Sequence, residues 1–184
     1  MMSSLFRRLL FVLPVLIFAV IAGYFLWGLA PGRDPQSVPT AMLDKPIPGF
    51  DLPAVPGLDV PGLASADLAA GEVVMVNFFA SWCVPCRAEH GYLSEFVARS
   101  GVPLYGINHR DKASAAVAWL AELGNPYQRV GADSGRGAVE WGVTGVPETF
   151  IIDGTGRIRY HHRGPLLPEV LEREVEPLLR ALGS

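Results

Sequence analysis

The hydrophobic pattern of this 184-residue chain changes character twice. Residues 9–32 are apolar and carry no charge, and at ~1.5 Å per residue such a stretch crosses a ~30 Å hydrocarbon layer as one helix. Over residues 45–62, proline and glycine interrupt Ile47, Phe50, Leu52, Val55, Leu58 and Val60, which predicts short edge strands and turns in an N-terminal hairpin. Beyond that, apolar runs alternate with helical spacings. Residues 72–79, rich in valine and phenylalanine, predict a central strand buried on both faces. Residues 87–100 follow with Tyr92, Leu93, Phe96 and Val97 on one helical face and Gly101 as the stop. A second strand is expected over residues 102–108, then a helix capped by Asp111 that ends before Gly124-Asn125-Pro126. This βαβα order predicts parallel pairing. Residues 127–130 are a brief extended piece and 135–141 at most a short helix. Residues 149–153, the turn Gly154-Thr155-Gly156 and residues 157–163 form a hairpin, and residues 169–182 an amphipathic helix begun near Pro168. The expected class is α/β: a central mixed sheet flanked by helices, an extra N-terminal hairpin, and one apolar helix in front.

Charge orients that apolar helix. Arg7 and Arg8 precede it and no comparable basic group follows, so the positive-inside bias places the N-terminus in the cytoplasm and the body of the chain outside. The expected division is residues 1–8 cytoplasmic, 9–32 a transmembrane anchor, 33–43 a proline-containing linker, and 44–184 a periplasmic domain. A cleaved secretory signal would have a shorter apolar centre, although Gly28-Leu29-Ala30 imitates a cleavage site. Either way the same domain is exported. With Arg7 and Arg8 set aside, thirteen basic residues face eighteen acidic ones, scattered rather than clustered, which argues against nucleic acid as a partner.

The candidate chemistry lies where the first strand meets its helix. Cys83 and Cys86 are the only cysteines, two residues apart, in a domain exported to an oxidising compartment. As a structural staple the pair closes too small a loop to remove much unfolded-chain entropy. As a zinc half-site it lacks a second cysteine pair and would have to recruit from His90, His109, His161 and His162. A redox role accounts for position as well as spacing. Unpaired N–H groups and the positive end of the helix dipole stabilise a thiolate at Cys83, which can attack a client disulfide. Cys86, one turn further in, can then resolve the mixed disulfide. Pro85 helps fix the turn between them. No cofactor beyond the redox-active pair is expected.

Trp82-Cys83-Val84-Pro85-Cys86 after a buried strand, and Gly145-Val146-Pro147 before a later one, resemble the thioredoxin superfamily. That resemblance implies a thioredoxin-like fold in which Pro147 is a cis-proline facing the disulfide and Val146 offers its backbone to a substrate strand. The match narrows to the CcmG/DsbE family of cytochrome c maturation thioredoxins. It rests on the N-terminal anchor, Asn77-Phe78-Phe79-Ala80-Ser81-Trp82-Cys83, Cys86-Arg87-Ala88-Glu89-His90, the Trp119 to Tyr127 block, Gly142-Val143-Thr144-Gly145-Val146-Pro147-Glu148-Thr149-Phe150, and Ile158-Arg159-Tyr160-His161-His162. It implies a periplasmic, inner-membrane-anchored protein-disulfide reductase. Its implied clients are the haem-binding cysteines of apocytochrome c or a mixed disulfide with an assembly protein, and its electrons come from a membrane donor of the DsbD/CcdA type.

Asn77 stands six residues before Cys83, where ordinary thioredoxins place a buried acid that assists proton transfer. Glu89 and Glu148 are the candidates to replace it, and carboxylates near Cys83 would oppose its thiolate and make the protein a better reductant. His90 and the His161-His162 pair are expected to be surface or cap residues. Three other functions are weighed. A thiol peroxidase would need a threonine where Ala80 stands. A general thiol reductase of the TlpA/ResA type would share the anchor, the fold and the Cys-x-x-Cys pair, and only client tests separate it. A non-enzymatic apocytochrome holdase would survive loss of both cysteines.

Overall fold

A computed structural model describes residues 4–28 and 42–183. Most of the expected linker, and residues 29–32 of the expected anchor, lie outside the described residues. The chain divides into two compact units, residues 1–38 and 39–184.

In the first unit, α1 (Ser4–Gly28) is a single helix with Pro14 inside it. Its window Phe11–Gly28 has a mean hydropathy of 2.2 and no buried share. An apolar helix without a core of its own is what a membrane anchor or a signal segment presents.

The second unit opens with β1 (Asp51–Leu52), which pairs antiparallel with β2 (Leu63–Ala64). The predicted hairpin is therefore present, but with strands of two residues, because its prolines cannot donate to a longer ladder. A 3-10 turn, Ser65–Ala69, leads to β3 (Val74–Phe79), α2 (Val84–Ser100), β4 (Leu104–His109), α3 (Ala113–Leu123), β5 (Arg129–Asp133) and the short α4 (Arg136–Glu140). Then come β6 (Glu148–Ile152), β7 (Ile158–Arg163), α5 (Pro168–Val170), a π-type turn Leu171–Val175, and α6 (Glu176–Leu182). The predicted C-terminal helix is thus interrupted by a wider turn that its apolar spacing did not announce.

The five long strands form one mixed sheet in the order β5-β4-β3-β6-β7. Strands β3, β4 and β5 run parallel, as the βαβα order requires, while β6 and β7 are antiparallel additions. The hairpin lies on the β5 edge: Ala132 N–H donates to Pro53 O at 2.8 Å and Val130 N–H to Pro61 O at 2.9 Å. An otherwise open edge is thereby covered. Gly131 permits this approach, since a Cβ there would stand 2.7 Å from the Leu52 Cβ.

Strand alternation sorts the core onto two faces. Met75, Phe79 and Ile151 meet α2 (Leu93, Phe96), α3 (Ala116, Trp119, Leu120) and the C-terminal segment (Leu171, Val175, Leu179). Val74, Val76, Phe78, Phe150 and Ile152 point the other way, onto Trp141, Ala138, Leu63 and Leu68. The cysteines belong to the first face.

Candidate functional site

Helix α2 begins earlier than its apolar spacing predicts, because Cys83 itself is the N-cap. Its Sγ accepts the Cys86 N–H at 3.1 Å, one of the orphan donors of the first turn. Pro85 sits in that turn, where its missing N–H removes no helical bond. Gly101 closes the far end in the left-handed conformation, with its N–H on Val97 O. Cys83 and Cys86 form a disulfide with a Cα–Cα separation of 5.3 Å. Both cysteines are buried, while Trp82 and Val84 beside them are exposed.

Two loops enclose the disulfide. On one side, Asp111 accepts the Ser81 N–H at 2.6 Å, the Ser81 hydroxyl at 2.8 Å and the Asn108 amide at 3.0 Å, and Trp82 Nε1 donates to Arg110 O at 3.2 Å. Asp111 was expected as the cap of α3. The structure gives that place to Lys112, without a side-chain bond, and uses Asp111 to fix the segment that delivers Cys83. On the other side, the Val146–Pro147 peptide is cis, and Val146 O lies 3.5 Å from Cys83 Sγ.

Beneath the pair lies a buried polar chain. Tyr127 OH donates to Asn77 Oδ1 at 2.8 Å, and Asn77 Nδ2 donates to Thr149 Oγ1 at 3.0 Å and to Glu89 Oε1 at 2.9 Å. Glu89 Oε2 accepts the Leu166 N–H at 2.7 Å. Glu89 is therefore a core carboxyl, one turn beyond Cys86, and not a solvated helix residue. Burial pushes its pKa up to about 7, against the opposing effect of its two neutral donors, Leu166 N–H and the Asn77 amide. Burial and the proximity of Glu89 also push the Tyr127 hydroxyl well up, so it remains a donor.

Glu148 departs from the expectation that its charge opposes a Cys83 thiolate directly. It alternates with Thr149, whose hydroxyl meets Asn77 on the disulfide side, and its own side chain lies on the other face of the sheet with Phe150. There its Oε1 accepts the Thr144 N–H at 2.7 Å, the Thr144 hydroxyl at 2.7 Å and the Gly145 N–H at 3.1 Å, and His161 Nε2 donates to Oε2 at 2.6 Å. Burial works to raise its pKa, but these bonds together prevail and hold it below the usual carboxylate range.

The remaining histidines divide. His90 is buried, stands edge-on to Trp119, and donates from Nε2 to the carbonyl of Gly124, the residue that caps α3. His161 is neither surface nor cap, since only 1% of its side chain is exposed. Among the described residues no group of histidines, cysteines and carboxylates is arranged to hold a metal ion.

The model of the Redoxin family matches residues 44–179. The thiol:disulfide interchange protein DsbE of Escherichia coli K12 is 44% identical over 178 residues, covering 94% of each chain. The chain belongs to the DsbE family of thiol:disulfide interchange proteins. The DsbE homolog of Paracoccus denitrificans is 45% identical over 94% of each chain, and the interchange protein HelX of Rhodobacter capsulatus 43% over 91% of this chain and 93% of its own. A thioredoxin-family thiol:disulfide interchange protein from Chlorobium tepidum superposes with a TM-score of 0.57 at 27% identity, over 75% of this chain and 96% of that one. The thioredoxin-like fold and the thiol:disulfide oxidoreductase activity expected from the sequence both follow from this membership. Tyr127, Leu166, Asp111 and the buried state of His161 were missed. Tyr127 stands within a block that marks the DsbE resemblance, but Leu166 contributes a backbone N–H, for which no side-chain signal exists.

Proposed function

We propose that the chain is the extracytoplasmic reductant of cytochrome c maturation, holding the haem-binding cysteines of apocytochrome c, or a mixed disulfide of an assembly protein, in the reduced state. The observation that carries the chemical part is the cysteine pair at the start of α2, facing the Val146 carbonyl across 3.5 Å.

In the reduced protein, a Cys83 thiolate receives the Cys86 N–H and the positive end of the helix dipole. It attacks one sulfur of the client disulfide, and the other client sulfur leaves as a thiolate. Cys86 then attacks Cys83 Sγ and releases the second client thiol, which leaves the observed disulfide in the protein and two electrons in the client. Val146 and the cis-proline Pro147 frame the groove in which an extended client lies, and Trp82 forms its apolar rim. Asn77 and Glu89 serve proton transfer to and from Cys86, with Glu89 half-ionised near neutral pH.

Residues 9–32 anchor the protein in the inner membrane with residues 1–8 in the cytoplasm, and residues 33–43 tether the periplasmic domain, residues 44–184. Arg7 and Arg8 before α1 support this orientation. A membrane dithiol donor of the DsbD/CcdA type reduces Cys83–Cys86 after each turnover.

The test is the reduction potential of the pair, measured on the full chain in detergent by following Trp82 fluorescence in glutathione or dithiothreitol buffers. A value in the range of dedicated reductants, ~−200 to −270 mV, is expected. A value near ~−120 mV, that of a strong oxidant, would make the protein a disulfide donor instead.

A further inference from the structure

His161 is buried on the sheet face that does not hold the disulfide. Its ring lies flat on Phe150, with centroids 4.0 Å apart and an interplanar angle of 12°. Because Glu148 can only accept, the 2.6 Å contact puts the hydrogen on His161 Nε2. Among the described residues the buried Nδ1 atom has no hydrogen-bond partner, and Glu148 is thus, among those residues, the sole hydrogen-bonding partner of an otherwise buried ring.

That carboxylate is the inner anchor of the loop before the cis-proline. Its Oε1 gathers the Thr144 N–H, the Thr144 hydroxyl and the Gly145 N–H, in the two residues that precede Val146. Its Oε2 has His161 at 2.6 Å and, next, the Arg163 Nε at 3.9 Å. The loop is tied to β7 a second time where Gly164 N–H donates to Pro147 O at 2.9 Å. Without the imidazole, Oε2 loses the one close donor it has among the described residues. A buried carboxylate in that position must turn toward another donor or take up a proton, and either change loosens its hold on Thr144 and Gly145.

We infer that His161 is a positioning residue for client recognition: through Glu148 it fixes the Thr144–Val146 backbone, and so sets the affinity for an extended polypeptide lying beside the disulfide without altering the redox couple. This rests on the oxidoreductase reading above. The reacting sulfurs are untouched by His161, so its effect belongs to binding. A client with a peptide backbone to align along Val146 feels it, and a small disulfide does not.

The test uses the full chain in detergent, reduced and freed of reductant. It is mixed with excess oxidised peptide bearing Cys-x-x-Cys-His, and Trp82 fluorescence gives a half-saturating peptide concentration and a limiting rate. His161→Phe keeps the stack on Phe150 and removes the donor. The half-saturating concentration should rise on the order of tenfold, as expected for loss of one charge-assisted hydrogen bond. The limiting rate, the rate with bis(2-hydroxyethyl) disulfide and the reduction potential should stay unchanged. His161→Gln, which restores an N–H donor, should recover most of the loss. Should His161→Phe fail to fold, His161→Asn, too short to reach Glu148, must show the rise that His161→Gln does not. Unchanged half-saturation in the donorless variant, an equal fall with the small disulfide, or no recovery by glutamine would each overturn the inference. Peptide reduction that persists in Cys83→Ser would instead sink the oxidoreductase reading on which it rests.

Discussion

Glu89 and Glu148 are both almost fully buried, on opposite faces of one sheet, and their acidities move in opposite directions. Burial penalises the charge of each. Glu89 is answered by two neutral donors, the Asn77 amide and the Leu166 N–H, and burial wins, taking its pKa to about 7. Glu148 is answered by four, with His161 among them, and the donors win. Depth alone therefore does not set the charge of a core carboxyl; the count and kind of donors at its two oxygens do. The consequence is a division of labour. The face carrying the cysteines keeps a carboxyl that can change its proton near neutral pH, and the opposite face keeps one that stays ionised and holds a loop.

The largest break in this comparison is expected from Glu148→Ala. It orphans the Thr144 and Gly145 donors and leaves His161 without its acceptor, and since each buried donor left unsatisfied costs about 1–3 kcal/mol, a loss of several kcal/mol is expected. Urea unfolding of the full chain in detergent measures it. The sign with pH follows from the lowered pKa. The carboxylate contributes its stability fully above the ordinary carboxyl pKa and loses it as pH falls through the lower folded value, so the gap between wild type and variant should narrow only in acid.

Glu89 should behave in the opposite sense. With its folded pKa raised from 4.5 to about 7, the native state holds a proton that the unfolded chain has released, so stability falls as pH rises across that interval. The expected fall is on the order of 2–3 kcal/mol between pH 4.5 and 7, with little further change above. Glu89→Gln, uncharged throughout, should flatten this slope. A slope that survives the substitution would place the titrating group elsewhere.

The two faces were unequally legible in the sequence. Strand β3 announced itself as a continuous apolar run, and Gly101 marked the end of α2, because each uses a local rule of periodicity or capping. Cys83 and Cys86 were legible from spacing and from the strand-to-helix junction. Glu89 was picked out as a candidate, but its burial depends on a backbone N–H 77 residues away, at Leu166. His161 was hidden for another reason. Ile158 belongs with Trp141 and Phe150, so simple alternation would send Tyr160 and His162 to that face and His161 to the opposite one. The register shifts where Ile151 and Ile152 face Tyr160 and Ile158, and the residue left over, Arg159, reverses the parity that follows. A bulge carries no reliable mark in one sequence, and with it the anchoring of Glu148 went unseen.

The smallest effect, and the finest test of the contrast, is expected from Tyr127→Phe. The substitution keeps the ring that stacks on Phe79 at 4.7 Å and removes only the hydroxyl that donates to Asn77 Oδ1. Loss of one neutral hydrogen bond costs about 1 kcal/mol. The hydroxyl also fixes which end of the Asn77 amide faces Glu89, since an oxygen committed to Tyr127 leaves only Nδ2 for the carboxyl. Freed from it, Asn77 can turn its oxygen toward a protonated Glu89 and stabilise that form. The loss should therefore be about 1 kcal/mol at pH 8, where Glu89 is ionised, and smaller at pH 5, where it is protonated. Equal losses at the two pH values would mean that Thr149 alone fixes the amide, and that the proton on Glu89 is governed by burial and Leu166 without help from Tyr127.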